Sequence, residues 1–418
     1  MHGEIITIGN ELVSGKTLDL NSRYAAKCLT EAGLRVTWIT SAGDDYKMVS
    51  EALNKAVGRS RFAIITGGLG STHDDITNNI IAKTLKRPLY LNRQMLKRLK
   101  FIAKERRIEM TPSLEKMAWI PKGSKILDPK QTICGFSLVE NDVSLYFLPG
   151  VPDEMRYLMD KFVLPEVLSL FKSVPFIEQR ILKIYGISEP ELSEIFGKFQ
   201  GKTGDIIFGF YPHFPENHIT MSLKGKDKSL VTKELDRVEK EIRHCLGSHI
   251  FARGKHSMEE VVGQMLVEKS LTISVAESCT GGLICHRLTN VPGSSNYLKG
   301  GVVVYSNQAK VDLLHVYPET LKRYGAVSEN TVREMASGVK GYLKTDLGLA
   351  VTGIAGPEGG SKEKPVGTVH IGLAVGSDIF SGKYRFWGNR EKIKLNTSIM
   401  ALDWVRRGLN GDPFLPGI

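Results

Sequence analysis

Short apolar runs alternate with stretches of helical period along the first seventy residues. Gly3–Ile8, Leu34–Thr40 and Phe62–Thr66 are apolar, β-branched runs of strand length, and Asn21–Ala32 and Tyr46–Val57 between them carry the helical repeat. Strands alternating with helices predict a parallel, doubly wound sheet, with ligand sites beyond the carboxyl ends of its strands. Met155–Leu170 reads as an apolar helix. From Pro175 the order changes to a strand (Phe176–Tyr185), a helix (Glu189–Phe199), two strands (Ile206–Tyr211, His218–Lys224) and a long amphipathic helix (Ser229–Leu246). That order predicts a small α+β module. Arg253–Ser257 reads as a polar linker. Ser257-Met258-Glu259-Glu260 then opens a helix with the look of a capping box. Beyond it the strands Leu271–Val275, Gly300–Tyr305, Ala350–Gly353 and Gly367–Val375 alternate with helices, and Arg390–Arg407 closes the chain as a helix. The whole predicts an α/β chain of three domains, 1–172, 173–254 and 255–418.

With 418 residues the chain is long enough for two or three substantial cores, and its 42% hydrophobic and 24% charged content are those of an ordinary globular protein. No apolar run reaches 18 residues, so no membrane partner is expected. Met1–Glu4 leads straight into a strand without the basic and apolar regions of a secretion signal. Five cysteines (Cys28, Cys134, Cys245, Cys279, Cys285) show no metal-ligand spacing, which predicts free thiols in a reducing cytoplasm. The net charge of +11 suits nucleic acid, a phosphorylated small molecule or a solvated surface. Its basic residues are spread out and not interleaved with aromatics, which favours a phosphate-bearing small molecule over nucleic acid. A symmetric homodimer is the default assembly.

The chemistry concentrates in two stretches. Ala276-Glu277-Ser278-Cys279-Thr280-Gly281-Gly282 places a hydroxyl at a strand-to-helix turn. Its glycines admit a ligand close to the backbone, and the free N–H groups of the following helical turn favour an anion or a developing oxyanion. A plain Ser/Thr helix cap is the competing reading. No histidine comes with an accompanying motif. A desolvated Lys310 can serve as the base, against the commoner fate of a helical lysine as a solvated surface group. Cys279 is a rival nucleophile. A second glycine-rich loop follows the strand Ala350–Gly353. In the first domain, Gly67-Gly68-Leu69-Gly70-Ser71-Thr72-His73-Asp74-Asp75-Ile76-Thr77 sits where a doubly wound sheet binds ligands. Its glycines permit backbone N–H groups to lie against phosphate. Asp74 and Asp75, read as opening the next helix, suit a divalent cation; simple helix capping is the alternative.

These motifs resemble the CinA family. In the first domain the resemblance rests on Ile5-Thr7-Ile8-Gly9-Asn10-Glu11-Leu12, the 67–77 string and Phe147-Leu148-Pro149-Gly150-Val151-Pro152 with Glu154-Met155. It implies a molybdopterin-binding-like fold and an ADP-ribose pyrophosphatase that uses a divalent metal and potassium. Gly9, Glu11, Gly67, Gly68, Gly70, Asp75 and Thr77 would then bind nucleotide, and Asp74 and Asp75 the metal. Several positions depart from the family pattern: Ser71, Asn79, Ser113–Ala118 and Gln131–Phe136. The lost polar groups predict weak or absent ADP-ribose hydrolysis with binding retained. For residues 173–254 the resemblance implies a KH-like module. Its Gly-x-x-Gly match, Gly201-Lys202-Thr203-Gly204, links a helix to a strand, so spacing or dimer packing is expected of it rather than RNA clamping.

The C-terminal likeness is the closer one. It is carried by Ala-Glu-Ser-Cys-Thr-Gly-Gly at 276–282, Val291-Pro292-Gly293-Ser294-Ser295, Gly300–Lys310, Gly325–Ser328 and Val351–Pro357. It implies a cofactor-independent nicotinamide-nucleotide amidohydrolase that converts nicotinamide mononucleotide to nicotinate mononucleotide and ammonia. Carried over, Ser278 is the nucleophile and Lys310 the base, with Thr280 and Tyr305 as supporting catalytic groups. Gly281, Gly282, Ser295, Asn307, Thr352 and Gly353 would bind substrate. The competing class is a non-catalytic factor that binds nucleic acid or a pterin.

Overall fold

A computed structural model of the chain describes residues 2–72, 75–105, 107–128, 135–171, 175–199 and 203–417. It divides into two compact units, Met1–Glu178 with Lys224–Thr232, and Gln179–Leu223 with Lys233–Ile418.

The strands of the first unit are β1 (His2–Ile8), β2 (Arg35–Ala42), β3 (Phe62–Thr66), β4 (Leu89–Leu91), β5 (Trp119–Pro121), β6 (Lys125–Ile126), β7 (Phe136–Glu140) and β8 (Val143–Leu148). Six of them form one sheet in the order β2-β1-β3-β8-β7-β6. The first four are parallel, as the alternation of strands and helices predicts. The sheet as a whole is mixed, a correction to the purely parallel expectation, because β7 returns antiparallel to β8. The reason is local. Asn141 and Asp142 take φ of 47° and 62°, the left-handed pair that a two-residue hairpin turn requires. The apolar stretch 152–169 is helical throughout but widens into a π-turn at Met159–Val163. Pro165, which lacks an N–H and crowds the carbonyl four residues earlier, accounts for the widening. The helix after the glycine loop begins at Thr77, not at Asp74 or Asp75. Asp75 instead closes the loop on itself: its Oδ2 accepts from the Thr72 amide (2.8 Å) and hydroxyl (2.6 Å).

The second unit carries two sheets. The smaller one orders β9 (Phe176–Ile184), β10 (Ile207–His213), β11 (Glu216–Gly225) and β12 (Ile250–Arg253) as β10-β11-β9-β12. The stretch read as a polar linker therefore starts inside a strand, with Arg253 opposite Leu182. Ser257 and Glu260 form the expected capping box at the head of Met258–Glu268. The larger sheet orders β13 (Ile273–Glu277), β14 (Leu298–Val303), β15 (Leu347–Gly353), β16 (Thr368–Val375) and β17 (Asp378–Arg385) as β14-β13-β15-β16-β17. β14, β13 and β15 are parallel, and β16 and β17 continue antiparallel.

Both faces of this sheet are covered. On one side Val275, Leu349 and Ile371 pack with Ile284, Leu288, Ile399 and Trp404 from the helices Leu283–Thr289 and Arg390–Asn410. On the other, Ala276, Ala350 and Ala374 pack with Val332, Met335 and Val339 of the helix Glu329–Leu343. The chain leaves β13 for β14 on one flank and returns to β15 on the other. The carboxyl end of β13 is thus a topological switch point, where doubly wound sheets open a crevice. Among the described residues no helix is long and apolar enough to cross a membrane.

Candidate active site

Ser278 follows β13 directly, and its side chain is nearly buried at 8% exposure. The helix Asn307–Leu314, capped by Ser306, turns Lys310 inward, and that lysine is 1% exposed. Its Nζ donates to Ser278 Oγ at 3.3 Å and to the Val304 carbonyl at 2.8 Å. The reading of Lys310 as a solvated surface group is thereby overturned. Burial among apolar neighbours, with no carboxylate among its hydrogen-bond partners, holds the amine below its ordinary value. Cys279 is also buried, and desolvation pushes its thiol up to about 12. That disfavours the thiolate at neutral pH, although Cys279 lines the same cavity as Ser278.

Ser278 and Lys310 open onto a cavity of about 210 Å³ shared with Tyr305, Thr352, Gly353 and Arg390. Thr352, 1% exposed, spends its hydroxyl on the Ala326 carbonyl at 2.9 Å, so it shapes the wall. Tyr305 is exposed, and its hydroxyl accepts from Arg390 Nη2 at 3.0 Å. Thr280 is fully buried and its hydroxyl has no protein partner; it does not line this cavity. Gly281 and Gly282, at φ of 61° and 94°, form the left-handed turn into the next helix. Asn307 is exposed in the first turn of the lysine-bearing helix, and Ser295 is exposed in the short turn Ser294–Asn296. These four residues lie outside the cavity wall.

The expectation of free N–H groups in the first helical turn needs correction. Glu277, the last residue of β13 and fully buried, reaches under that turn. Its Oε2 accepts from the amides of Gly282 (2.9 Å) and Ile284 (3.1 Å), and its Oε1 from that of Cys285 (2.9 Å). Those donors are spent. The amides of Cys279 and Thr280, the two residues after the hydroxyl, have no hydrogen-bond partner among the described residues.

In the first unit, Gly9, Glu11, Gly67, Gly68, Gly70 and Asp75 line one cavity of about 880 Å³ beyond the ends of β1 and β3. A side chain at Gly67 would lie 2.1 Å from the Ile8 carbonyl, so the loop runs against the end of β1 with no room to spare. Thr77 stands behind the loop, its hydroxyl donating to the Gly67 carbonyl at 3.2 Å. Of the two carboxylates expected to hold a metal, only Asp75 is among the described residues. No three His, Cys, Asp or Glu side chains gather to hold an ion among the described residues, and Asp75 is engaged with Thr72. Asp74 lies outside the described residues, as does 131–134.

Three family models match the chain in order: a probable molybdopterin binding domain over residues 4–169, the damage-inducible protein CinA KH domain over 179–252, and the CinA C-terminal domain over 255–409. A "CinA-like protein" of Dictyoglomus thermophilum is 40% identical over 410 residues, covering 98% of this chain and 99% of its own. The chain belongs to the CinA family. A "putative competence-damage inducible protein" of Caldicellulosiruptor saccharolyticus is 38% identical over 408 residues, covering 97% and 99%. Among solved structures, the competence/damage inducible protein CihA of Agrobacterium tumefaciens is 40% identical over 37% of this chain and 97% of its own, with a TM-score of 0.35.

The CinA architecture is therefore a molybdopterin-binding-like domain, a KH-like module and a CinA C-terminal domain. Two residues of its C-terminal site escaped the sequence reading. Glu277 had a signal, a carboxylate ending an otherwise apolar strand beside the reactive hydroxyl. Arg390 had none, because it enters the site only through the fold, from a helix more than a hundred residues downstream. Of the CinA KH-like module's Gly-x-x-Gly match, Gly201 and Lys202 lie outside the described residues.

Proposed function

We propose that the C-terminal domain hydrolyses the carboxamide of nicotinamide mononucleotide to nicotinate mononucleotide and ammonia. The observation that carries this is the buried Lys310 amine 3.3 Å from the Ser278 hydroxyl, with no acidic partner, at the mouth of a small cavity. A neutral amine takes the hydroxyl proton as Ser278 Oγ bonds to the carboxamide carbon. The amide of Cys279, a residue of the cavity wall, is a donor left for the oxyanion. Collapse breaks the C–N bond, and Lys310 returns the proton to the leaving ammonia. Water then repeats the sequence on the acyl-serine, giving the acid. A cavity of 210 Å³ suits one ring and its carboxamide rather than a whole nucleotide. Arg390 also borders a neighbouring hollow of about 450 Å³ that includes Lys394, one helical turn on. These two cations suit the phosphate. Ammonia release from nicotinamide mononucleotide in EDTA tests the reading. Release by the wild type that is abolished in Ser278→Ala is expected; no release, or release unchanged in that variant, refutes it.

A second reading concerns the amino-terminal domain. The Gly67–Gly70 loop lining an 880 Å³ cavity supports binding of a nucleotide of the ADP-ribose class through its phosphates. Asp74, the other carboxylate expected to hold a metal, lies outside the described residues, and no hydrolytic step is assigned to this domain.

A further inference from the structure

A second cavity, of about 630 Å³, adjoins the glycine-loop cavity in the amino-terminal unit, and Asp75 lines both. Their walls differ in chemistry. Backbone at the glycine loop, charged side chains such as Glu11, Lys16, Asp44 and Glu154, and aliphatic ones such as Leu99 and Ile102 wall the first. An indole walls the second. Trp119 sits in β5 between Ala118 and Ile120, both buried, and strand alternation turns it outward, where it stays 39% exposed.

Two polar groups frame that ring. Asn78 Nδ2 donates to the Trp119 carbonyl at 3.1 Å, which fixes the amide and leaves Oδ1, a buried acceptor, without a protein partner. Lys116 Nζ donates to the Thr72 carbonyl at 2.7 Å, so a cation stands where this compartment meets the end of the glycine loop. An exposed aromatic face and a cation beside an anion-type loop make a set that matches a base joined to phosphates.

We propose that this compartment holds the heterocyclic base of a nucleotide whose diphosphate lies on the Gly67–Gly70 loop, the base stacking on Trp119. The inference rests on the phosphate-binding reading of that loop. Stacking tolerates any base, because each has a π-face, and it contributes about tenfold or more in affinity.

Calorimetric titration of the full chain with ADP and, separately, with inorganic pyrophosphate, in buffer containing magnesium, separates the two claims. ADP is expected to bind at least about tenfold tighter than pyrophosphate. Trp119→Ala should bring ADP down to the pyrophosphate level and leave pyrophosphate unchanged, while Trp119→Phe should keep most of the difference. Equal affinity for the two probes in the wild type overturns the base compartment and spares the loop. So does a Trp119→Ala variant that leaves ADP unchanged or weakens both probes alike. Failure of both probes to bind overturns the loop reading and this inference together.

Discussion

Replacing Lys310 with methionine is the sharpest test of the Ser278–Lys310 pair. The thioether is close to the lysine stem in length and shape, so the pocket between Val304 and Ser278 stays filled. What is lost is the proton acceptor and the hydrogen bond to the Val304 carbonyl at 2.8 Å. A positioned general base contributes about 10²–10⁴ in rate, or roughly 3–5 kcal/mol of barrier. The fold should feel much less. An unpaired buried carbonyl costs about 1–3 kcal/mol, but the variant also removes the cost of burying an amine, which acts in the opposite direction. The expected outcome is a melting point within a few degrees of wild type and a kcat for ammonia release from nicotinamide mononucleotide lowered at least a hundredfold. Single-turnover acid quench would show that the loss lies in acyl-enzyme formation. A variant keeping a tenth of the wild-type rate refutes the assignment of the base. A rate loss matched by a collapse of the melting transition would mean that Lys310 is a structural amine.

Three further outcomes follow from the same geometry. On the proposed mechanism Lys310 works as the neutral amine, and its value is held below the ordinary 10.5, so kcat/KM should rise with pH to an alkaline plateau with its midpoint below 10.5. The same shift makes the unfolded chain bind more protons between the folded value and 10.5. Stability from this group therefore rises with pH through that window and is lost as pH falls, a slope that titration of the melting point should find in wild type and miss in Lys310→Met. Glu277→Ala should cost about 3 kcal/mol or more, since three amides lose their acceptor in a fully buried place, and urea melts would read it; a loss under 1 kcal/mol contradicts the role given to this carboxylate. Cys279→Ala should retain activity, and Cys279 in the native enzyme should resist alkylation at pH 8; rapid labelling with loss of activity would restore the thiol as nucleophile.

The strands were legible in the sequence where both faces are buried, because an unbroken apolar run such as Phe62–Thr66 has little else to become. The placing of Ser278 at a strand-to-helix turn was legible for a related reason: a buried strand that ends in Ser-Cys-Thr-Gly-Gly must turn sharply. The helix Glu329–Leu343 was harder to see. Its buried Val332, Met335, Ala336 and Val339 carry a helical repeat, but Gly338 and Gly341 interrupt the propensity. Gly338 is explained only by packing, since a side chain there would sit 2.2 Å from the Leu314 carbonyl. The edge strand β17 was missed because its alternation is weak, with Lys383 and Arg385 facing water. Lys310 and Arg390 show the deeper limit. Nothing in a lysine's or arginine's own neighbourhood in sequence says whether it is solvated; the fold decides that.

The final helix begins at the Ser278–Lys310 cavity with Arg390 and ends in a buried cluster. There Asp403 accepts from Arg406 and Arg407, and both guanidinium groups donate to the Ser248 carbonyl, at 2.6 and 3.3 Å. Ser248 lies two residues before β12, on the other side of the residues that look like an interdomain spacer. A fragment trimmed at residue 255 would leave two sequestered positive charges facing a single carboxylate, at the far end of the same rod that carries Arg390. Excision at the apparent spacer thus takes the Ser248 carbonyl from that cluster, and a self-sufficient C-terminal fragment is better begun upstream of Ser248.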